Sequence, residues 1–139
     1  MNFLIEIYKA LADAIYFNLI REDRYILFIK GLGVSLQLTL YAAIIGIIIG
    51  LLVAFARMTN SKILNKIGSL YVDVIRGTPA VVQLVIIYYA ILGSSSLPKL
   101  GVASVAFGIN SGAYVAELIR AGIQAVDKGQ MEAARSLGF

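Results

Sequence analysis

The chain has 139 residues, of which 60% are hydrophobic and only 14% charged, and it carries a net charge of +4. That is too apolar for an ordinary soluble domain of this length. Cysteine and histidine are absent, which excludes disulfides, thiol chemistry, zinc sites and Ser-His-Asp triads within these residues.

The basic residues stand singly between apolar runs rather than in a stripe. No nucleic-acid partner is therefore expected. A scattered basic excess of this kind fits the positive-inside bias of membrane proteins. No acidic metal cluster, nucleophile–base pair or Gly-rich phosphate loop is present, so neither an enzyme nor a bound cofactor is expected.

The first stretch is interrupted by Glu6, Lys9 and Asp13 and does not read as a signal peptide. Phe3, Leu4, Ile7, Leu11, Ile15 and Leu19 recur at helical spacing. They predict an amphipathic helix over 3–20, lying at a membrane interface, packed on a bundle or solvated.

Gly31 to Ala56 is uncharged. At about 1.5 Å per residue it is long enough to cross a hydrocarbon core about 30 Å thick, and it predicts a first transmembrane helix. Gly46 and Gly50, four apart, either permit close helix approach or reflect the general frequency of glycine in such helices.

The next span combines an amphipathic part from about Ile63 to Ile75 with a second uncharged run, 77–98. At its centre stands "RGTPAVVQL", residues 76–84. Pro79 has no N–H to donate, and its ring opposes the carbonyl of Ile75. The stretch predicts a kinked or partly unwound helix. Such a break either lines a wet cavity, as Arg76 and Gln83 beside it suggest, or is an ordinary proline kink capped by Thr78.

"LGSSSLPK", 92–99, is a turn, and a third span follows from about Leu100 to Ala121 with Gly108 and Gly112 four apart. Asn110, Ser111, Tyr114, Glu117 and Arg120 are too many polar groups for a lipid-facing helix. Four of them, all but Ser111, share a face. Glu117 is either a functional carboxylate or half of an ion pair with Arg120. The polar tail 126–139 predicts a short helix suited to docking on another protein.

Arg57, Lys62 and Lys66 follow the first span without an acidic residue, whereas the Ser/Pro turn holds only Lys99. Residues 57–66 and the tail from Gly122 are therefore expected in the cytoplasm, with the turn and the N-terminus outside. The fold expected is all-α: a polytopic membrane bundle of about three transmembrane helices, with an N-terminal amphipathic helix and a partial cytoplasmic coupling helix. The expected division is an N-terminal segment, 1–28, and a transmembrane domain, 29–139.

"GLGVSLQLTL" (31–40), "YVDVIRGTPAVVQL" (71–84), "NSGAYVAELIRAGIQAVDKGQ" (110–130) and "EAARSLG" (132–138) occur in order. Across residues 28–139 the chain resembles the permease subunit of ATP-binding-cassette importers for polar amino acids, the glutamine, histidine and arginine branch. The resemblance implies a multi-pass protein of the bacterial cytoplasmic membrane. It implies four partners: a cytoplasmic ATPase subunit that hydrolyses ATP, a second copy or related permease, an extracytoplasmic solute-binding protein and a polar amino acid as substrate. Glu132, Ala133, Ala134 and Gly138 match the family's Glu-Ala-Ala signature and would contact the ATPase. Arg76, Gly77, Thr78, Gln83, Asn110, Ser111 and Glu117 are the candidates for the substrate path. The family's pattern continues past Gly138 and commonly includes five spans. The resemblance thus implies the N-terminal portion of such a permease, truncated within the coupling loop at Phe139.

Two readings of another class stand beside it. One is a small oligomeric secondary transporter or channel that uses Glu117 as its coupling carboxylate. The other is a helix-bundle scaffold without transport.

Overall fold

The structure, a computed structural model, describes residues 2–138. Met1 and Phe139, the outer ends of the two expected segments, lie outside the described residues. The helices are α1 (Asn2–Ile15), α2 (Tyr25–Met58), α3 (Lys62–Gly77), α4 (Ala80–Val85), α5 (Lys99–Gln124) and α6 (Lys128–Ser136). No strand occurs among the described residues, so the all-α expectation holds. Two compact units separate at Gln37/Leu38. That point and the expected division at 28/29 both fall inside α2.

In the N-terminal unit the amphipathic helix ends at Ile15, five residues before the expected end. A wide π-helical turn, Tyr16–Ile20, replaces its last turn. The side-chain amide of Asn18 donates to the carbonyl of Ala14, 2.8 Å away. That carbonyl would otherwise accept the backbone N–H of residue 18, so the side chain competes with the helical ladder. Arg21 and Arg24 both lie over the Phe17 ring, at 4.9 and 5.3 Å from its centre. Glu22 and Asp23 then adopt left-handed backbone angles, φ 59° and 54°, which ends the segment before α2. Along α1, Glu6, Lys9 and Asp13 form a narrow polar stripe by their spacing, and Phe3, Leu4, Tyr8 and Leu11 are exposed.

The second unit is organised by a seam of small residues. On α2 the buried positions are Ala42, Gly46, Gly50 and Ala54, one every four residues. On α5 they include Gly108, Gly112, Ala113 and Ala116. A Cβ added at Gly46 would stand 2.8 Å from Cβ of Ser111, and one at Gly112 would stand 2.7 Å from Cγ2 of Ile49. Ser111 and Val115 thus lie over the glycines of α2, and Ile45 and Ile49 over those of α5. The paired glycines are therefore used for close approach, as membrane helices without a hydrophobic drive require. The small core of Ala54, Val72, Ala113 and Ala116 closes on α3, flanked by Val53, Tyr71, Ile75 and Ile119. Larger side chains such as Leu40, Ile48, Leu52 and Phe55 are exposed on the outside, the reverse of a water-soluble helix and the pattern that hydrocarbon solvates.

α2 and α5 are each long and apolar enough to cross a membrane. The middle span differs from the expected kink in degree. α3 and the segment Ala80–Ile91 form a broken pair bent by 107°.

The seam is tested by overpacking. Gly46→Leu and Gly112→Leu are each expected to destabilise the protein by about 1–3 kcal/mol. Gly31→Ala, where an added Cβ meets nothing within 4 Å, is expected to be neutral or slightly stabilising. Unfolding of the detergent-solubilised variants measures both.

Candidate functional site

Thr78 is extended, φ −113° and ψ 135°, and Pro79 follows at φ −57° and ψ 133°. Proline pushes the residue before it out of the helical region and withdraws one N–H. Carbonyls at the end of α3 thereby lose their helical partners. Side chains replace them. Thr78 Oγ1 donates to the carbonyl of Val74 at 2.8 Å. Gln83 Nε2 donates to the carbonyls of Ile75 and Thr78 at 2.5 and 2.8 Å. Gln83 is buried and accepts, through Oε1, the side-chain N–H of Asn110 on α5 at 3.1 Å. The carbonyls of Val74, Ile75 and Thr78 at the break are thus bonded from within, as backbone at membrane depth requires. Gly77 faces open space.

A second cluster stands at the far end of α5. Glu117 accepts from Arg57 of α2 at 2.5 Å and also from Arg120. The Arg57 and Glu117 side chains are 12% and 24% exposed, so the pair is only partly screened by solvent. Arg57 reaches α5 by laying its stem on Gly68 of α3, where an added Cβ would meet Arg57 Cγ at 2.7 Å. Asn65 of α3 donates to the carbonyl of Arg57 at 2.6 Å and so caps the end of α2. Nearby, Tyr71 of α3 donates its hydroxyl to the carbonyl of Ile109 at 2.6 Å.

Between the two clusters lies a small hollow, about 170 Å³, lined by Arg76, Tyr114, Glu117, Leu118 and Ala121. The Arg76 guanidinium stands over the Tyr114 ring, 5.4 Å from its centre. The structure therefore divides the seven path candidates. Arg76 and Glu117 share the hollow. Gly77, Thr78, Gln83 and Asn110 belong to the break. Ser111 faces α2 and lines a separate hollow with Thr39, Ala42 and Phe107.

Of the two readings of Glu117, the ion pair with Arg120 is present, and the same side chain borders the hollow. Arg57 and Tyr71 were missed. Arg57 was used only as a charge for orientation, although a lone arginine closing a long apolar run is a signal for a partner on a neighbouring span.

The tail folds as expected. Asp127 caps α6 by accepting from the N–H of Gly129 at 2.8 Å. Glu132 and Ala133 are exposed and Ala134 is half-buried. Gly138 takes a left-handed φ of 88° just past the helix end, a position where glycine carries no Cβ penalty.

The Arg57–Glu117 pair is tested by a double-mutant cycle. Arg57→Ala leaves the carboxylate with one partner, and a loss of about 1–3 kcal/mol is expected, between the exposed and fully buried limits. Adding Glu117→Ala should cost less than the sum of the single losses. Additive losses in unfolding free energy would show that the two residues do not interact.

Residues 46–139 match the family described as binding-protein-dependent transport system inner membrane components. The chain is 42% identical over 114 residues to the putative glutamine transport system permease protein GlnP of Rickettsia conorii, covering 80% of this chain and 52% of that one. It is 41% identical over 112 residues to the arginine transport system permease protein ArtQ of Bacillus subtilis, covering 79% and 51%. It is 39% identical over 130 residues to the L-cystine transport system permease protein TcyB of Bacillus subtilis, covering 93% and 56%. A crystal structure of an amino acid ABC transporter with histidines superposes with a TM-score of 0.76 at 48% identity, covering 84% of this chain and 55% of that chain. The chain spans about half the length of the curated relatives it matches. The resemblance carried by its motifs is borne out: this is an all-α membrane chain that belongs to the binding-protein-dependent transport system inner membrane components.

Proposed function

We propose that these residues form part of the membrane-spanning subunit of an ATP-driven importer for polar α-amino acids. The observation that carries this reading is the hollow beside the broken span, which Arg76, Tyr114 and Glu117 line together. Transporters present half-helix ends and broken backbone to substrates at such breaks. An α-amino acid offers one carboxylate and one ammonium. Arg76 suits the carboxylate, because a guanidinium offers paired N–H donors. Glu117 suits the ammonium. Its carboxylate has about four acceptor positions, and the two arginines leave room for one further donor. Thr78 and Gly77 shape the approach, whereas Gln83, Asn110 and Ser111 border the path as supports. The relatives named for glutamine, arginine and L-cystine transport support the substrate class.

The tail, with Glu132, Ala133 and Ala134 on α6 and Gly138 just past its end, is proposed to dock on a cytoplasmic ATPase subunit, which hydrolyses the ATP. Nucleotide binding to that subunit drives the permease between two states through its different affinity for each. A second permease copy or a related permease completes the path, and a solute-binding protein outside delivers the amino acid.

The test uses the complete permease with its partner subunits in proteoliposomes. ATP-dependent uptake is expected to survive collapse of the proton gradient. Arg76→Gln should raise KM about 10–100-fold, the effect of one charge-assisted hydrogen bond of about 1.5–3 kcal/mol. Glu117→Gln should lower uptake or change the order of preferred amino acids. Unaltered uptake of every substrate by both variants would remove the hollow from the path.

A further inference from the structure

We propose that Gln83 and Asn110 form a latch through which the position of α5 sets the bend of the broken span. Gln83 combines three features. It is 7% exposed. Its two N–H groups are directed at carbonyls on the other side of the break, Ile75 and Thr78. Its remaining polar atom is held by Asn110, 27 positions along the chain on another helix. The third bond satisfies the buried amide oxygen and ties it to a helix that takes no part in the break.

The geometry makes the link directional. The amide of Gln83 is planar, so fixing Oε1 fixes the plane in which its N–H groups point. Asn110 therefore orients the donors that hold Ile75 and Thr78. If α5 slides or rotates, Asn110 moves with it. Gln83 must then follow, which shifts the carbonyls at the break, or release one of them. Backbone at membrane depth does not tolerate an unpartnered carbonyl, so the bend adjusts instead. Arg76 stands two residues before Thr78 and moves with it. The other end of α5 leads through Ala125–Asp127 into α6. α5 thus runs from the latch to this three-residue link, beyond which α6 carries the proposed ATPase contact.

Gln83 and Asn110 are positioning residues in this account and touch no substrate. Their role in uptake rests on the importer reading above, but the bend itself is measurable without transport. The 139 residues hold no cysteine, so cysteines at Leu70 on α3 and Val85 on α4, both exposed, take spin labels selectively once any cysteine in the rest of the complete protein is replaced by serine. Pulsed electron paramagnetic resonance on the complete protein in lipid nanodiscs then reads the distance between the two arms.

One narrow distribution is expected without further substitution. Gln83→Leu and Gln83→Glu, which cannot donate to the two carbonyls, should broaden it or add a second distance. Asn110→Leu should do the same although it leaves both Gln83 donors in place. Gln83→Leu with Asn110→Leu should exceed Gln83→Leu alone by little, since both cut one chain of bonds. Where Gln83→Leu fails to insert, Asn110→Leu carries the test. A distribution unchanged by Asn110→Leu would overturn the latch. In uptake, both variants should lower the rate for all amino acids by a similar factor. A change of preference among amino acids with unchanged label distances would instead make Gln83 a substrate contact. Absence of ATP-driven uptake in the unsubstituted complex would end the importer reading and leave the label distances as the measure of the latch.

Discussion

The close approach of α2 and α5 across glycine is the constraint on which the other contacts depend. In hydrocarbon, apolar side chains gain nothing from facing each other rather than lipid, so helices associate where backbones can come near. Gly46 and Gly50 accept Ser111 and Val115, and Gly108 and Gly112 accept Ile45 and Ile49. The separation this fixes brings the end of α2 within reach of Glu117. Arg57 then spans the gap, with Gly68 providing the room for its stem. Larger residues along the seam would push the helices apart, leaving the Arg57 guanidinium without its partner and Glu117 with Arg120 alone.

The broken span is the second element, and it depends on the first. A membrane helix interrupted at Thr78–Pro79 exposes carbonyls that lipid cannot satisfy. The protein meets that demand with two side chains, Thr78 and Gln83, and anchors the second to α5 through Asn110. The break is therefore a defined structure rather than a flexible point. It holds Arg76 against Tyr114 beside the ion pairs of Glu117. A compact hollow results, with two charged side chains set among apolar neighbours.

Much of this was legible in the sequence. The uncharged runs, the glycine pairs and Pro79 gave the spans, the seam and the site of the break, because each rests on a local rule of backbone or bilayer chemistry. The motifs from Tyr71 to Leu84 and from Glu132 to Gly138 gave the family. The size of the bend was not legible. It depends on which distant groups accept the freed carbonyls, and the spacing of Gln83 from Pro79 does not say that Asn110 holds it. Arg57 was equally hidden, since its partner lies 60 positions away. Ser111 was read by its polarity alone, and its small size, which the seam uses, was not read. The end of α1 was missed because Asn18 acts on a single carbonyl, which no periodicity records.

On the proposed function, the broken span and α5 together hold the substrate. Photolabelling tests it most directly. A polar amino acid carrying a diazirine would be irradiated with the complete transporter during turnover and the adducts located by mass spectrometry. The account predicts adducts on the peptide containing Arg76 to Thr78 and on that containing Tyr114 to Leu118, both suppressed by excess unlabelled amino acid. Competable adducts confined to other spans, with these two peptides unmarked, would contradict it.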